Sequence, residues 1–179
     1  MKQQCNQNQI TSKIGVLCLI TCSLFMALVP SACSPTPPPT QLILVRHAEK
    51  DTSDHGENPP LTNEGLARAQ RFLNLYKHKT IRGIYATKYD RNKNTVAPLA
   101  EHHSLPIKEY EWHDWQPAID AMLKTGGTFI LCGHGDNLIP IIEYVNGVSP
   151  IESLGHYDYQ YIFDLNVNED TTLVNLITF

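Results

Sequence analysis

Acidic residues are missing from the first 48 positions, and only Lys2 and Lys13 carry charge before Arg46. Basic residues are in short supply over the whole chain: 14 Lys and Arg face 18 Asp and Glu, for a net charge of −4. A nucleic-acid binder carries a basic surplus, so no nucleic-acid partner is expected. Cysteine is scarce too. Of the five, Cys5, Cys18, Cys22 and Cys33 lie early, and Cys132 stands alone inside an apolar run. With no partner within reach for a disulfide, Cys132 reads as a small core residue. No internal repeat is visible, and His102, His103, His113 and His156 have no metal-ligand spacing and read as exposed. No metal and no cofactor is expected. The chain is long enough for one domain with a real core and too short for two of ordinary size.

What stands in the charge-poor beginning is a targeting pattern. Lys2 and Lys13 precede an apolar or small-residue run, IGVLCLITCSLFMALV, from Ile14 to Val29. That run is short for a spanning helix, which wants about 20 residues, and fits a secretory signal. It closes in VPSAC, where Ser31 and Ala32 before Cys33 resemble the lipobox of bacterial lipoproteins. Residues 1–33 are therefore expected to be a signal peptide ending at a lipidated Cys33, with Cys22 a weaker second position. Pro30 departs from the leucine that pattern prefers. Removing Lys2 and Lys13 leaves 12 basic against 18 acidic residues, a charge of 12 − 18 = −6. Residues 34–40, SPTPPPT, form a proline-rich linker, extended at about 3.1 Å per residue and so on the order of 20 Å long. The expectation is an exported lipoprotein, anchored to a membrane by lipid, whose domain is 41–179.

From Leu42 the chain alternates strand-like and helix-like segments. LILV, 42–45, is a continuous apolar strand. Residues 51–60, DTSDHGENPP, are a loop. Thr62 is placed to cap a helix over 63–78 whose apolar face is Leu66, Ala69, Leu73 and Tyr76. GIYAT, 83–87, is a strand. A helix runs from about Arg91 to His103, with a kink or late start at Pro98. PIKEY, 106–110, is a short strand, and 116–124 a helix with Pro117 in its first turn. TFILC, 128–132, is a second buried strand, and Leu138 to Val145 a helix closed by Asn146 and Gly147. YQYIFDLN and TLVNLITF read as two strands around NVNED. This order predicts an α/β three-layer sandwich: a mainly parallel sheet, helices on both faces, and an antiparallel edge from the last hairpin.

Ligands of such sheets bind beyond the carboxyl ends of the strands. There the chain places Arg46 and His47, then Thr87 leading to Arg91, then Gly133 and His134. Two arginines and two histidines in one cleft suit a dianionic phosphate. Guanidinium groups meet phosphate oxygens in pairs, and a neutral histidine is a nucleophile.

These residues resemble the histidine phosphatase superfamily, which includes cofactor-dependent phosphoglycerate mutase. RHAEK is similar to its RHG or RHA signature, and PPLTNEGLARA, 59–69, to its L-T-x-x-G-x-x-R-A segment. TKYDRNKNTVAPLA resembles S-x-x-x-R-A-x-x-T-A-x-x-L-A, and FILCGHGDNL the strand with the second histidine. The resemblance spans 41–179 and implies a phosphoglycerate mutase-like fold. It implies that His47 attacks phosphorus to form a phosphohistidine, and that Arg46, Arg91 and His134 bind the phosphoryl oxygens, the arginines taking the place of a metal. A carboxylic acid then protonates the leaving oxygen and activates water. Glu111 is the first candidate, with Asp114 and Asp136 beside it. The activity implied is a phosphomonoesterase acting on a phosphate ester or phosphoramidate outside the cytoplasm, its partner a phosphorylated small molecule or phosphoprotein. The alternatives are a non-catalytic anion-binding module and a mutase-type phosphotransferase.

Departures from the family pattern are Asn92, Asn94 and Gly135, the first two expected to tune helix packing or the rim. Glu49 is expected to pair with Lys50 or Arg68, and Arg68 to act structurally. Trp112 and Trp115 are expected to cap the core, with lining the substrate as the lesser alternative. Loop 51–60 and segment 109–117 are expected to shape the leaving-group side.

Overall fold

A computed structural model describes residues 38–179. The signal-like segment, Cys33 and the linker up to residue 37 lie outside the described residues. Among the described residues no helix is long and apolar enough to cross a membrane.

The strand β1 (Thr40–Arg46) is followed by α1 (Asn63–Tyr76), β2 (Gly83–Ala86) and α2 (Asp90–His103). Then come β3 (Ile107–Glu109), α3 (Gln116–Thr125), β4 (Gly127–Gly133) and α4 (Gly135–Asn146). A hairpin, β5 (Tyr161–Val167) and β6 (Thr172–Thr178), completes the order. The six strands form one sheet in the order β3-β2-β4-β1-β5-β6. β3, β2, β4 and β1 run parallel. β5 is antiparallel to β1, and β6 to β5. The parallel part with an antiparallel edge is the architecture expected from the alternating pattern.

β1 shows why the sheet has two covered faces. Its run from Leu42 to Val45 is fully buried. Side chains alternate across a strand. Leu42 and Leu44 join Ile119, Met122, Leu138 and Ile142 of α3 and α4 on one face. Ile43 and Val45 join Phe72, Tyr76, Val96 and Leu99 of α1 and α2 on the other. A continuous apolar run, with no polar residue on alternate positions, is what burial on both faces demands.

Some elements differ from expectation, for local reasons. In α1 the buried positions are Gly65, Ala69, Phe72 and Tyr76, whereas Leu66 is 51% exposed. The anchoring of the helix by Gly65 sets the rotation. A Cβ at position 65 would lie 2.4 Å from the Glu49 main-chain oxygen, so only glycine lets the helix start sit against the loop after β1. α2 runs unbroken through Pro98 from Asp90. The lost N–H leaves the carbonyl of Asn94 without its helical partner, and Asn94 is exposed to solvent. α4 starts at Gly135, three residues ahead of the expected Leu138. Asp136 and Asn137 suit the first turn of a helix, where N–H groups lack partners, and so extend it toward β4.

Candidate active site

β1, β4 and β2 are neighbours, so their carboxyl ends lie side by side. Arg46 pairs in register with Gly133, and Ala86 with Cys132. His47, His134 and Thr87 are the residues immediately after these ends. α2 begins just past β2 and sets Arg91 in its first turn, and His134 is the N-cap of α4. Arg46, His47, Arg91 and His134 line a single cleft of about 540 Å³, together with Lys50, Asp136 and His156. The rings of His47 and His134 are 5.4 Å apart, centre to centre.

His47 is buried, and its Nδ1 lies 2.8 Å from the main-chain oxygen of Ala48. A carbonyl only accepts, so Nδ1 carries the proton and donates. The lone pair is thereby on Nε2. Burial pulls the His47 pKa down to about 3, and His134, Arg91 and Arg46 add to the effect against the opposing Ala48 carbonyl. The ring is neutral at ordinary pH. His134 is likewise lowered to about 4, by burial first and then by Arg91. Its Nε2 is 2.9 Å from the Thr87 hydroxyl.

The arginines are held from behind. Arg46 Nη1 donates to the Gly155 oxygen at 2.6 Å, and its guanidinium lies 4.7 Å from the centre of the Tyr159 ring. Arg91 lies 4.3 Å from the Tyr89 ring centre, and its Nη1 reaches the Glu57 oxygen at 3.5 Å. The Nε atoms of both arginines are buried without a protein partner. A buried guanidinium nitrogen with nothing to donate to is costly. An oxyanion in the cleft would supply what is missing.

The floor under the site is a hydrogen-bonded lattice. The Gly133 oxygen accepts from the His47 N–H at 3.0 Å and from Asn92 Nδ2 at 2.8 Å. Asn92, expected to tune packing or the rim, is fully buried and ties α2 to the end of β4. Thr95 Oγ1 accepts from the Ala48 N–H at 2.9 Å. Asn137 Oδ1 accepts from the His134 N–H at 2.8 Å. Glu49 is bound by Arg68 through both carboxylate oxygens at 2.6 to 3.0 Å, which fixes the rim next to the nucleophile.

The three carboxylates considered as the acid differ in position. Asp136, in the first turn of α4, lines the cleft. Glu111 and Asp114 are exposed and line neither the cleft nor its side arm. Trp115 is buried in the core. Trp112 is not a core cap: it lines a side arm with Tyr89, Arg91, His134 and Asp136. His156 is exposed and borders the cleft, and His103 is half-buried rather than exposed. Tyr89, Tyr159 and the Gly155 oxygen are site components that sequence reasoning missed. Tyr89 alone left a trace, as an aromatic residue two before Arg91. Among the described residues no group of three His, Cys, Asp or Glu is placed to hold a metal ion.

A three-layer α/β sandwich with Arg-His at the end of its central parallel strand and a second histidine at the adjacent strand end is a phosphoglycerate mutase-like fold. Residues 42–116, somewhat less than half of the chain, match the family model "Histidine phosphatase superfamily (branch 1)". The phosphoglycerate mutase of Bacillus anthracis str. Sterne superposes with a TM-score of 0.62 at 12% identity, over 79% of this chain and 94% of that one. The protein histidine phosphatase SixA complexed with tungstate gives 0.64 at 14% identity, over 78% and 97%. The alpha-ribazole phosphatase of Shigella flexneri gives 0.59 at 12%, over 78% and 96%. At such identities these likenesses speak to the fold. No curated protein sequence matches the chain.

Proposed function

We propose that the domain is a phosphomonoesterase working through a phosphohistidine on Nε2 of His47. The observation that carries this is the His47 ring itself: neutral, its proton fixed on Nδ1 by Ala48, its lone pair in a cleft shared with Arg46, Arg91 and His134. The Nε2 lone pair forms a bond to phosphorus as the ester P–O bond breaks. The Nδ1 proton stays, and the Ala48 carbonyl faces the positive charge that the ring acquires. Arg46, Arg91 and His134 meet the charge on the phosphoryl oxygens, already oriented before reaction. Asp136, the carboxyl group that lines the cleft, takes the role of acid ahead of Glu111 and gives its proton to the leaving oxygen. Its carboxylate next removes a proton from water. That water bonds to phosphorus, the P–N bond breaks, and His47 is neutral again.

The test is hydrolysis of p-nitrophenyl phosphate by the full chain, with acid-labile, base-stable labelling of the protein from a radioactive phosphodonor. The expected result is a label and a turnover that His47→Ala both removes, the rate falling about 10³-fold or more. Phosphate binding without turnover in both proteins would identify an anion-binding module in place of an enzyme. Asp136→Asn should lower kcat, whereas Glu111→Gln should leave it within about twofold.

We further propose that the enzyme is exported and anchored through lipid on Cys33, on the strength of the n-region, the apolar run and the small residues before that cysteine. Incorporation of labelled palmitate into the wild-type protein, and its loss in Cys33→Ala, is the expected outcome. Equal labelling of both overturns the anchor.

A further inference from the structure

We propose that the phosphoryl group of the natural substrate sits on, or one carbon away from, a flat uncharged ring, and that Trp112 with Tyr89 seats this ring. The proposal rests on the phosphatase reading above and names its substrate class.

The side arm off the cleft encloses about 230 Å³ and is lined by Tyr89, Arg91, Trp112, His134 and Asp136. Arg91, His134 and Asp136 also line the phosphate cleft, so the arm and the cleft share a wall. The additional walls are both aromatic. Tyr89 stands edge-on to the His134 ring at 5.3 Å and 89°. Trp112 lies 5.9 Å from the same ring at 65° and is backed by His113 at 3.4 Å. Nothing in the core requires Trp112 here: it is half-buried and lies outside both hydrophobic clusters, unlike Trp115. Rings prefer offset or edge-to-face contact with other rings, and an arm walled this way offers both.

Charge and size narrow the class. The cation of the arm is Arg91, which also lines the phosphate cleft and whose buried Nε has no protein partner. Its ionisable carboxyl is Asp136, the acid proposed for the leaving oxygen, and among the described residues the lining holds no second cation to pair with an anionic leaving group. An arm of this volume holds one or two fused rings and not a long acyl chain. Lys50, Ser153 and His156 border the other side of the cleft, which is polar.

The test separates ring recognition from leaving-group reactivity. Benzyl phosphate and ethyl phosphate both release simple alcohols, and the full-length enzyme should show kcat/KM about tenfold higher for benzyl. In Trp112→Ala that ratio should fall toward one, and Trp112→Phe, which keeps a ring, should retain most of it. Circular dichroism checks that each variant is folded. Benzylphosphonate, which is not hydrolysed, should inhibit better than ethylphosphonate and quench tryptophan fluorescence in the wild type. Equal kcat/KM for the two esters, or a ratio untouched in folded Trp112→Ala, overturns the ring seat while leaving the phosphatase intact. No hydrolysis of either ester, with benzylphosphonate still binding and quenching, overturns the phosphatase and keeps the seat.

Discussion

At the scale of single residues, the central fact is that two imidazoles are kept neutral by burial among cations. His47 titrates near 3 and His134 near 4 in the folded protein, against about 6.5 for each in an unfolded chain. Below pH 6.5 the unfolded state takes up protons that the folded state refuses. Stability is then fully present above pH 6.5 and falls as pH drops, by up to about 1.4 kcal/mol per pH unit for each histidine. Urea midpoints between pH 7 and 4.5 should decline more steeply for the wild type than for His47→Gln, and parallel curves would contradict the burial argument. In the proposed mechanism Arg91 meets the phosphoryl group in both ground and transition states. Arg91→Ala is therefore expected to raise KM and lower kcat together, by about 10²-fold or more in kcat/KM. Arg91→Lys should recover little, because an ammonium has neither the planar fork nor the contact with Tyr89.

At the scale of elements, glycines decide how closely helices approach the strand ends. A Cβ on Gly133 would lie 2.6 Å from Asn137 Oδ1, 2.8 Å from Leu138 and 2.9 Å from the Tyr110 hydroxyl. These are parts of the packed start of α4 and of the core, so they cannot all give way. Gly133→Ala should cost about 1–3 kcal/mol by chemical denaturation and displace His134. Phosphate affinity should drop in the folded variant, and unchanged affinity would show that α4 can slide. Gly65→Ala should cost a similar amount and disturb Glu49, since the intruding atom meets main chain.

The same scale explains what was legible beforehand. β1 and β4 carry continuous apolar runs bounded by turn formers, and Arg46, His47 and His134 follow them directly, so strand and site were readable together. The Thr62 cap was readable because its hydroxyl accepts from the Gly65 N–H at 3.1 Å, a purely local bond. The face of α1 was misread because Leu66 and Phe72 are equally apolar, and the choice between them rests on Gly65 meeting a loop 16 residues earlier. Tyr159 and the Gly155 oxygen were invisible because segment 149–160 has no periodicity. What fixes it is a set of turns, such as the Gly155 N–H donating to Asp158 Oδ2 at 2.8 Å. Trp112 and Trp115 read alike by type, as core caps or substrate lining, and only the fold shows that Trp115 joins the core and Trp112 the side arm.

At the scale of the whole molecule, His47, the proposed nucleophile, follows a strand enclosed on both sides within the sheet. β1 lies between β4 and β5, with α1 and α2 on one face and α3 and α4 on the other. The outer edge, β6, is by contrast half open, with Leu173 62% exposed. Regions fray in order of how little they bury. The His47 N–H, bonded to Gly133 across the β1–β4 boundary, belongs to the last structure to open. Its hydrogen should trade for solvent deuterium only through complete unfolding of the domain, with a denaturant dependence as steep as that of the global transition, while β6 amides trade by local fluctuation. The imidazole proposed as nucleophile therefore hangs from backbone that should hold its place for as long as the domain stays folded.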